Sequence, residues 1–220
     1  MPASDCSIRV KFGDNISENL HRQVFLFTRY LLDHTSPEIL NIHPAYNSVM
    51  VTISNEGSIS RVTEHLQKSI SNALIGKTPR GRAVEIPVLY NGKMGPDMGL
   101  VCKKTGLDPA EVIKRHSEAN YLVYFTGFSI GFPYLGGMDE SIAAPRLDLP
   151  RKSVPAGSVG IAGNQTGIYP MSSPGGWNLI GRTPLSIFNA KAPGDSLVQM
   201  GDIVRFRPID ETEYDALVGK

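Results

Sequence analysis

Residues 127–184 read GFSIGFPYLGGMDESIAAPRLDLPRKSVPAGSVGIAGNQTGIYPMSSPGGWNLIGRTP and decide the fold of the chain. This stretch holds 11 of the 22 glycines and 7 of the 16 prolines. Glycine allows positive φ and close backbone approach, whereas proline fixes φ and removes a hydrogen-bond donor. Such a density excludes long helices and favours short strands joined by tight turns. We predict strands at 158–162 and 178–181, with turns at 136–137, 155–157 and 174–176.

Aromatic side chains indicate that this glycine-rich stretch is ordered. A disordered segment of similar glycine and proline content would be poor in aromatic residues. Here they recur along the whole stretch, at Phe128, Phe132, Tyr134, Tyr169 and Trp177. We therefore predict an ordered segment that forms the working surface of the protein.

The first 80 residues predict a small domain of helices and strands. Apolar and charged residues alternate over 8–12, which is typical of a half-buried strand. Helical spacing of apolar residues starts at the apparent capping box Asn15-Ile-Ser-Glu18, includes Ile16, and starts again after Ser58. Strands at 38–43 and 49–53 lie between the two helices. The resulting order β-α-β-β-α is compatible with a ferredoxin-like domain.

The polar segment 76–82 is predicted to link two domains, residues 1–80 and 81–220. The second domain begins with a strand at 84–90 and a short helix at 96–104. Asp108, Pro109 and Glu111 then have the pattern of a helix N-terminus. Further strands are predicted at 121–125, 185–188 and 203–206. Many short strands with two helices indicate a closed or nearly closed β-barrel, and an α+β protein overall.

Composition excludes several classes of function. The formal net charge of +1 gives no electrostatic basis for binding nucleic acid or an anionic membrane. No apolar run approaches the ~18 residues that a membrane span needs. Cys6 and Cys102 stand alone, without a C-x-x-C motif, which predicts reduced thiols and a cytoplasmic protein.

The chain contains a sequence that fits a hydrolase motif, but the positions of its histidines contradict that function. Gly127-Phe-Ser-Ile-Gly131 fits the G-x-S-x-G motif of α/β-hydrolases. In that fold the catalytic histidine follows the serine in sequence, whereas all five histidines here precede Ser129. We predict that Ser129 is not a nucleophile. No histidine pair has the spacing of a metal site, and no phosphate-binding loop motif is present.

A polar set in and around the glycine-rich stretch is the best candidate for a binding surface. Its arginines present planar guanidinium groups suited to carboxylate or phosphate, and its neutral members could orient an amide or carboxylate. An indole could form the floor of a small pocket. The alternative for each residue is a structural role, in which it caps a turn or satisfies a loop carbonyl. The set consists of Arg146, Arg151, Gln165, Thr166, Tyr169, Ser173, Trp177 and Arg182.

The motifs of this stretch resemble those of the family formed by the B subunits of 5-oxoprolinase. The shared pattern is GF-x-x-GF-x-YL-x-G-(L/M)-D, followed by PR-x-x-x-PR-x-x-VPAGSV-x-IAG-x-QTGIYP-x-x-SPGGW-x-(L/I)-IGRTP. The family also carries the labels allophanate hydrolase subunit 1 and KipI kinase inhibitor. The resemblance extends over almost the whole chain. One departure is Ile130, where the family usually has proline, and it concerns the geometry of one turn.

The resemblance implies a component of an ATP-dependent 5-oxoprolinase, which opens the lactam of 5-oxoproline to glutamate together with the A and C subunits. ATP, with Mg²⁺, is then expected at the level of the complex. The resemblance also implies a cyclophilin-like barrel for residues 81–220. His116 matches a histidine of the family, and it either contacts a ligand or packs on the sheet as a helix-face histidine. No catalytic residue is assigned.

Two alternative functions stay open from the sequence. As in KipI, the aromatic and proline-rich surface of the barrel could bind and inhibit a sensor histidine kinase. The allophanate hydrolase label suggests instead a component of an enzyme that takes part in urea degradation.

Overall fold

The computed structural model describes residues 2–76, 81–90 and 92–219. The chain divides into two compact units, Met1–Arg80 and Gly81–Lys220. Most of the predicted linker falls on residues 77–80, which lie outside the described residues.

The first unit is a four-stranded antiparallel sheet with two helices. Its strand order is β1-β2-β4-β3. The predicted β-α-β-β-α order is present as β2-α1-β3-β4-α2, and β1 is an additional strand that the sequence did not predict. The strands are β1 (Pro2–Ser4), β2 (Ser7–Lys11), β3 (Ile39–Pro44) and β4 (Ser48–Ile53), and the helices are α1 (Glu18–Asp33) and α2 (Ile59–Leu74).

Helix α1 begins later than the sequence pattern indicated. Its N-cap is Ser17, whose side chain accepts a hydrogen bond from the backbone N–H of Leu20 at 3.3 Å. The predicted capping box at Asn15 is therefore wrong, and Ile16 precedes the helix and is 56% exposed. The rest of the predicted apolar stripe is buried, at Leu20, Val24, Phe27 and Leu31.

The second unit contains a closed barrel, which confirms that prediction. Seven strands pair in the order β10-β7-β6-β13-β5-β12-β9, and pairing of β9 with β10 closes the ring. The pair β5–β13 is parallel and the other pairs are antiparallel. The strands are β5 (Ala83–Tyr90), β6 (Tyr121–Thr126), β7 (Pro133–Gly136), β8 (Arg151–Val154), β9 (Ser158–Ala162), β10 (Gln165–Ile168), β11 (Ser173–Gly175), β12 (Asn178–Arg182) and β13 (Ile203–Pro208).

In the described part of this unit, three α-helices accompany the barrel: α3 (Met98–Thr105), α4 (Pro109–Glu118) and α5 (Glu211–Leu217). The Asp108 side chain accepts the N–H of Glu111 at 2.9 Å, so α4 begins where its cap signal indicated. Helix α5 was not predicted. Its signal is present in the sequence, because the Asp210 side chain accepts the N–H of Glu213 in the same way.

Alternation along the barrel strands produces two apolar clusters. Val159 and Ile161 of β9 point into the barrel core, whereas Ala162 belongs to a second cluster. Val154, on the two-stranded sheet β8–β11, packs in that second cluster together with Leu179 of β12. This small sheet therefore covers the outer face of the barrel wall, and the candidate site lies beneath it.

Two local predictions in this unit are wrong. Residues 185–188 form no strand, because the chain there runs as irregular structure after β12. Ser173, Pro174 and Gly175 form β11, so the turn predicted at 174–176 is partly a strand. Among the described residues, no helix combines the length and apolar character that crossing a membrane requires.

Candidate functional site

An aromatic pocket of about 250 Å³ opens beneath the two-stranded sheet β8–β11. Aromatic rings form most of its wall, two glycines contribute backbone, and one arginine contributes charge. Its lining residues are Phe128, Phe132, Tyr134, Arg146, Pro150, Tyr169, Pro174, Gly175, Gly176 and Trp177. We refer to this cavity as the aromatic pocket.

Phe132 is the central ring of the aromatic pocket and is almost fully buried. It meets Tyr134, Tyr169 and Trp177 edge to face, with centroid separations of 5.3, 5.2 and 5.3 Å. Edge-to-face contacts of this kind add stability beyond the area that the rings bury. Gly167 is required behind the ring, because a Cβ there would lie 2.7 Å from Cζ of Phe132. The rings are therefore held in one arrangement before any ligand arrives.

The mouth of the pocket carries a strained residue. Phe128 has φ of +66° and is 70% exposed, although a bulky residue rarely adopts positive φ. The bond that spans Phe128 runs from the N–H of Ser129 to the carbonyl of Gly127 at 2.8 Å, and the next turn is closed by the N–H of Phe132, which donates to the carbonyl of Ser129 at 3.1 Å. Ile130, the departure from the family pattern, lies in this turn and is also exposed. The turn places an apolar ring at the pocket entrance, in contact with Phe132 at 5.7 Å between centroids.

Arg146 supplies the positive charge of the aromatic pocket. It is exposed and makes no ion pair within the described ranges. Burial raises the pKa of both Tyr134 and Tyr169, and the nearby charge of Arg146 opposes that rise. Both phenols therefore stay protonated at neutral pH and can donate hydrogen bonds. The pocket can accept a small flat ligand that carries a carboxylate.

A second cavity, of about 160 Å³, contains the other two predicted arginines, Arg151 and Arg182. We refer to it as the basic cleft. Nη2 of Arg151 donates to Oδ1 of Asp97 at 2.6 Å, and Nε of Arg182 donates to the carbonyl of Ala156 at 2.8 Å. The exposed Lys93 adds a third positive charge to the lining.

His116 and Thr166 lie inside the barrel. The Thr166 hydroxyl donates to the carbonyl of Gly160 at 3.0 Å, so it accepts from Nε2–H of His116 at 2.8 Å. Nδ1 of the imidazole therefore accepts the Tyr90 hydroxyl, also at 2.8 Å. Burial lowers the pKa of His116 to about 3, which agrees with a neutral ring. The packed-histidine interpretation accounts for all of these contacts, and neither residue reaches the aromatic pocket.

The structure divides the predicted polar set into separate groups. Arg146, Tyr169 and Trp177 meet in the aromatic pocket, and Arg151 and Arg182 in the basic cleft. Gln165 and Ser173 begin β10 and β11 and belong to the lining of neither cavity. Ser129, discounted as a nucleophile, has a buried hydroxyl with no partner among the described residues.

Sequence reasoning missed several site residues. Phe128, Phe132 and Tyr134 were noted as a sign of an ordered working surface but not as residues of a pocket, although their density was itself a signal for one. Lys93 and Asp97 precede the glycine-rich stretch, and no local pattern marks them. No group of three or more His, Cys, Asp or Glu in the described part of the chain could hold a metal ion.

Comparison with known proteins gives relatives along nearly the full length. The family described as "Carboxyltransferase domain, subdomain C and D" matches residues 1–198. The B subunit of 5-oxoprolinase from Bacillus subtilis (strain 168) is 41% identical over 227 residues, covering 96% of this chain and 93% of that protein. The B subunit of 5-oxoprolinase from Escherichia coli O157:H7 is 42% identical, covering 86% of each chain.

Solved structures share the fold. TTHA0988 is 34% identical with a TM-score of 0.80, and the match covers 93% of this chain but only 40% of that longer chain. The urea carboxylase of Kluyveromyces lactis is 19% identical with a TM-score of 0.74, covering 98% of this chain and 22% of that one, and it supports the fold alone. On the full-length identity to its curated relatives, the chain belongs to the family of 5-oxoprolinase B subunits.

Proposed function

We propose that this protein is a component of an ATP-dependent 5-oxoprolinase complex, which hydrolyses the lactam of 5-oxoproline to glutamate. The observation that carries the proposal is the 41% identity to a relative named as a B subunit of 5-oxoprolinase, along 93% of the length of that Bacillus protein. Because the match is nearly end to end, the common function of the relatives is the simplest account of this chain.

The aromatic pocket is the proposed binding site for 5-oxoproline. The ligand combines a small flat ring, an amide and a carboxylate. The rings of Phe132 and Trp177 offer apolar surface to the lactam, and the Arg146 guanidinium can pair with the carboxylate. The protonated phenols of Tyr134 and Tyr169 can donate to the lactam carbonyl.

We further propose that ATP and Mg²⁺ are bound with the help of the partner A and C subunits. The residues that the structure describes include no acidic cluster fit for a metal ion. ATP supplies a phosphoryl group that can activate an amide oxygen as a leaving group, and such chemistry requires cationic clamps on the transferring group. The role of this chain is to bind and orient the substrate. The matching region of TTHA0988 is part of a much longer chain, which supports action together with further domains.

Finer assignments of fold and location belong to the same proposal. The order β1-β2-β4-β3 of the first sheet supports a ferredoxin-like arrangement in which β1 occupies an edge position. The closed seven-stranded barrel supports the cyclophilin-like assignment. Cys6 and Cys102 are both free, which supports a cytoplasmic location.

A second candidate function is inhibition of a sensor histidine kinase. Exposed apolar side chains favour it, since Phe128, Ile130 and Leu149 are 70%, 69% and 86% exposed near the pocket. Large apolar side chains grouped on a surface are typical of protein–protein contacts. The same surface would also serve contact with the A or C subunits. For the urea-degradation alternative, the relevant structures are 19% identical and carry only the fold.

The test is ATP-dependent release of glutamate from 5-oxoproline by this chain co-expressed with its A and C partners. Preparations that omit each of the three proteins in turn are measured beside it. We expect turnover to require all three. Full turnover without this chain, or none with all three present, would contradict the proposal, and inhibition of kinase autophosphorylation would be measured next.

A further inference from the structure

The basic cleft combines concentrated positive charge with no opposing charge in its wall. Lys93, Arg151 and Arg182 all line it, together with the hydroxyl-bearing Ser153 and Ser158. No acidic residue is among its lining residues within the described ranges. In a chain whose net charge is only +1, three cations around a cavity of about 160 Å³ are a local concentration.

Arg151 is held in place by groups outside the cleft wall. Its Nη2 donates to Oδ1 of Asp97 at 2.6 Å, and Oδ2 of that carboxylate accepts the N–H of Leu179 at 2.7 Å. Both carboxylate oxygens are therefore occupied, and the guanidinium is fixed in orientation. A fixed guanidinium loses little conformational freedom when it binds a ligand.

The other terminal nitrogen of Arg151 has no acceptor. Nη1 is shielded from solvent and makes no hydrogen bond to any described residue. A buried donor left unpaired is destabilising, and more so when the group is charged. Because Nη1 is shielded and Nη2 is bonded to Asp97, neither terminal nitrogen of Arg151 is a free donor in the cleft. Arg182 differs, because its hydrogen bond to the Ala156 carbonyl uses only Nε, and its two terminal nitrogens are not used by that bond. Together with the ammonium of Lys93, these nitrogens suit an acceptor with several oxygens.

We propose that the basic cleft binds a phosphate group. Phosphate offers three or four acceptor oxygens and up to two negative charges, which match the charges of Arg182 and Lys93, since Asp97 already neutralises the Arg151 guanidinium. A carboxylate offers two oxygens and one charge, and satisfies fewer of these donors. The phosphate is either free inorganic phosphate or the terminal phosphate of a nucleotide. This inference does not rest on the proposed oxoprolinase function, because it concerns binding by the isolated chain.

The test is isothermal titration calorimetry of the full chain in ~0.15 M salt, where remote charges are screened. Separate titrations use inorganic phosphate, ATP without metal, and acetate. We expect saturable phosphate binding and at least about tenfold weaker binding of acetate. A further titration adds ATP to the phosphate-saturated chain. If ATP displaces phosphate, the site takes a nucleotide phosphate, and if it does not, the site takes free phosphate. Acetate binding as tight as phosphate, or no saturable phosphate binding, overturns the proposal.

Variants locate the site. Lys93→Glu reverses an exposed charge of the cleft. Its matched control is Lys152→Glu, since Lys152 is exposed on strand β8 but does not line the cleft. We expect Lys93→Glu and Arg182→Gln each to weaken phosphate binding about tenfold, and Lys152→Glu by less than about twofold. Equal effects of Lys93→Glu and Lys152→Glu would overturn the assignment. Because Lys93 is exposed, this comparison holds even if an arginine variant fails to fold.

Discussion

Arg151 and Asp97 form an ion pair of 2.6 Å that joins two residues 54 positions apart in the sequence. The side chain of Asp97 is 10% exposed and that of Arg151 30%, so the pair is largely screened from water. Because the same carboxylate also accepts the N–H of Leu179, it links the two-stranded sheet β8–β11 to barrel strand β12. The arginine it fixes lines the basic cleft, and its charge also acts on Tyr169 of the aromatic pocket.

Asp97→Ala is expected to lower the free energy of unfolding by about 2–3 kcal/mol. The change leaves the guanidinium of Arg151 and the N–H of Leu179 without their acceptor in a mostly buried place. Urea unfolding followed by circular dichroism measures the loss. Asp148→Ala is the control, because Asp148 is exposed. Equal losses in the two variants would contradict this role for Asp97.

Arg146→Ala is expected to weaken 5-oxoproline binding by about tenfold or more, because the carboxylate loses its charged partner. Trp177 is the chain's single tryptophan and lines the same pocket, so quenching of its fluorescence reports binding. Arg205→Ala removes an exposed arginine outside the pocket and should change affinity little. The pocket assignment fails if Arg146→Ala binds as tightly as the parent chain.

Arg182→Ala is expected to lower ATP-dependent glutamate release by the reconstituted complex at least about tenfold while the chain stays folded. The hydrogen bond that the fold loses runs to the Ala156 carbonyl, a half-buried contact whose removal costs about 1 kcal/mol. Arg151→Ala should lower turnover in the same way, with a larger effect on stability through Asp97. Turnover is measured at saturating substrate and compared with the melting temperature of each variant. Unchanged turnover in Arg182→Ala would remove that residue from the functional set.

His116→Gln is expected to reduce the pH dependence of stability below neutral pH. The pKa of His116 is about 3 in the folded protein against an ordinary value of 6.5, so the unfolded chain binds the proton more readily. The stabilising contribution is therefore complete above pH 6.5 and is lost as the pH falls from 6.5 towards 3. While only the unfolded histidine is protonated, stability should fall by ~1.4 kcal/mol per pH unit.

Urea unfolding of the parent chain and of His116→Gln between pH 6.5 and 4 measures this difference in slope. His43→Gln serves as the control for the loss of an imidazole, because His43 is exposed. Parallel stability curves for the parent chain and His116→Gln would show that the imidazole does not titrate as its burial requires.

Local signals in the sequence determined much of the secondary structure. The Asp108 cap and Pro109 fix the start of α4, because they act on the N–H groups of the next few residues. Glycine at 157 likewise fixes a turn, since its φ is +80° and a Cβ there would collide with the carbonyl of Thr183. The density of glycine and proline therefore predicted short strands and a barrel, and the aromatic residues predicted order. The strand predicted at 185–188 was wrong, because the apolar residues that follow β12 there have no partner strand among the described residues.

Only the tertiary structure decided which polar residues meet. Thr166 and Gln165 are neighbours on β10, yet the Thr166 hydroxyl points into the barrel towards His116, 50 residues earlier in the chain. Arg146 and Arg151 are close in sequence and line different cavities, because the fold directs one towards the aromatic rings and the other towards Asp97. Capping and periodicity act over a few residues, whereas barrel closure and the packing of the sheet β8–β11 on the barrel bring together side chains from distant strands. The sequence by itself therefore determined the elements and the candidate residues, and the closed barrel with the packed sheet β8–β11 decided which of them share a site.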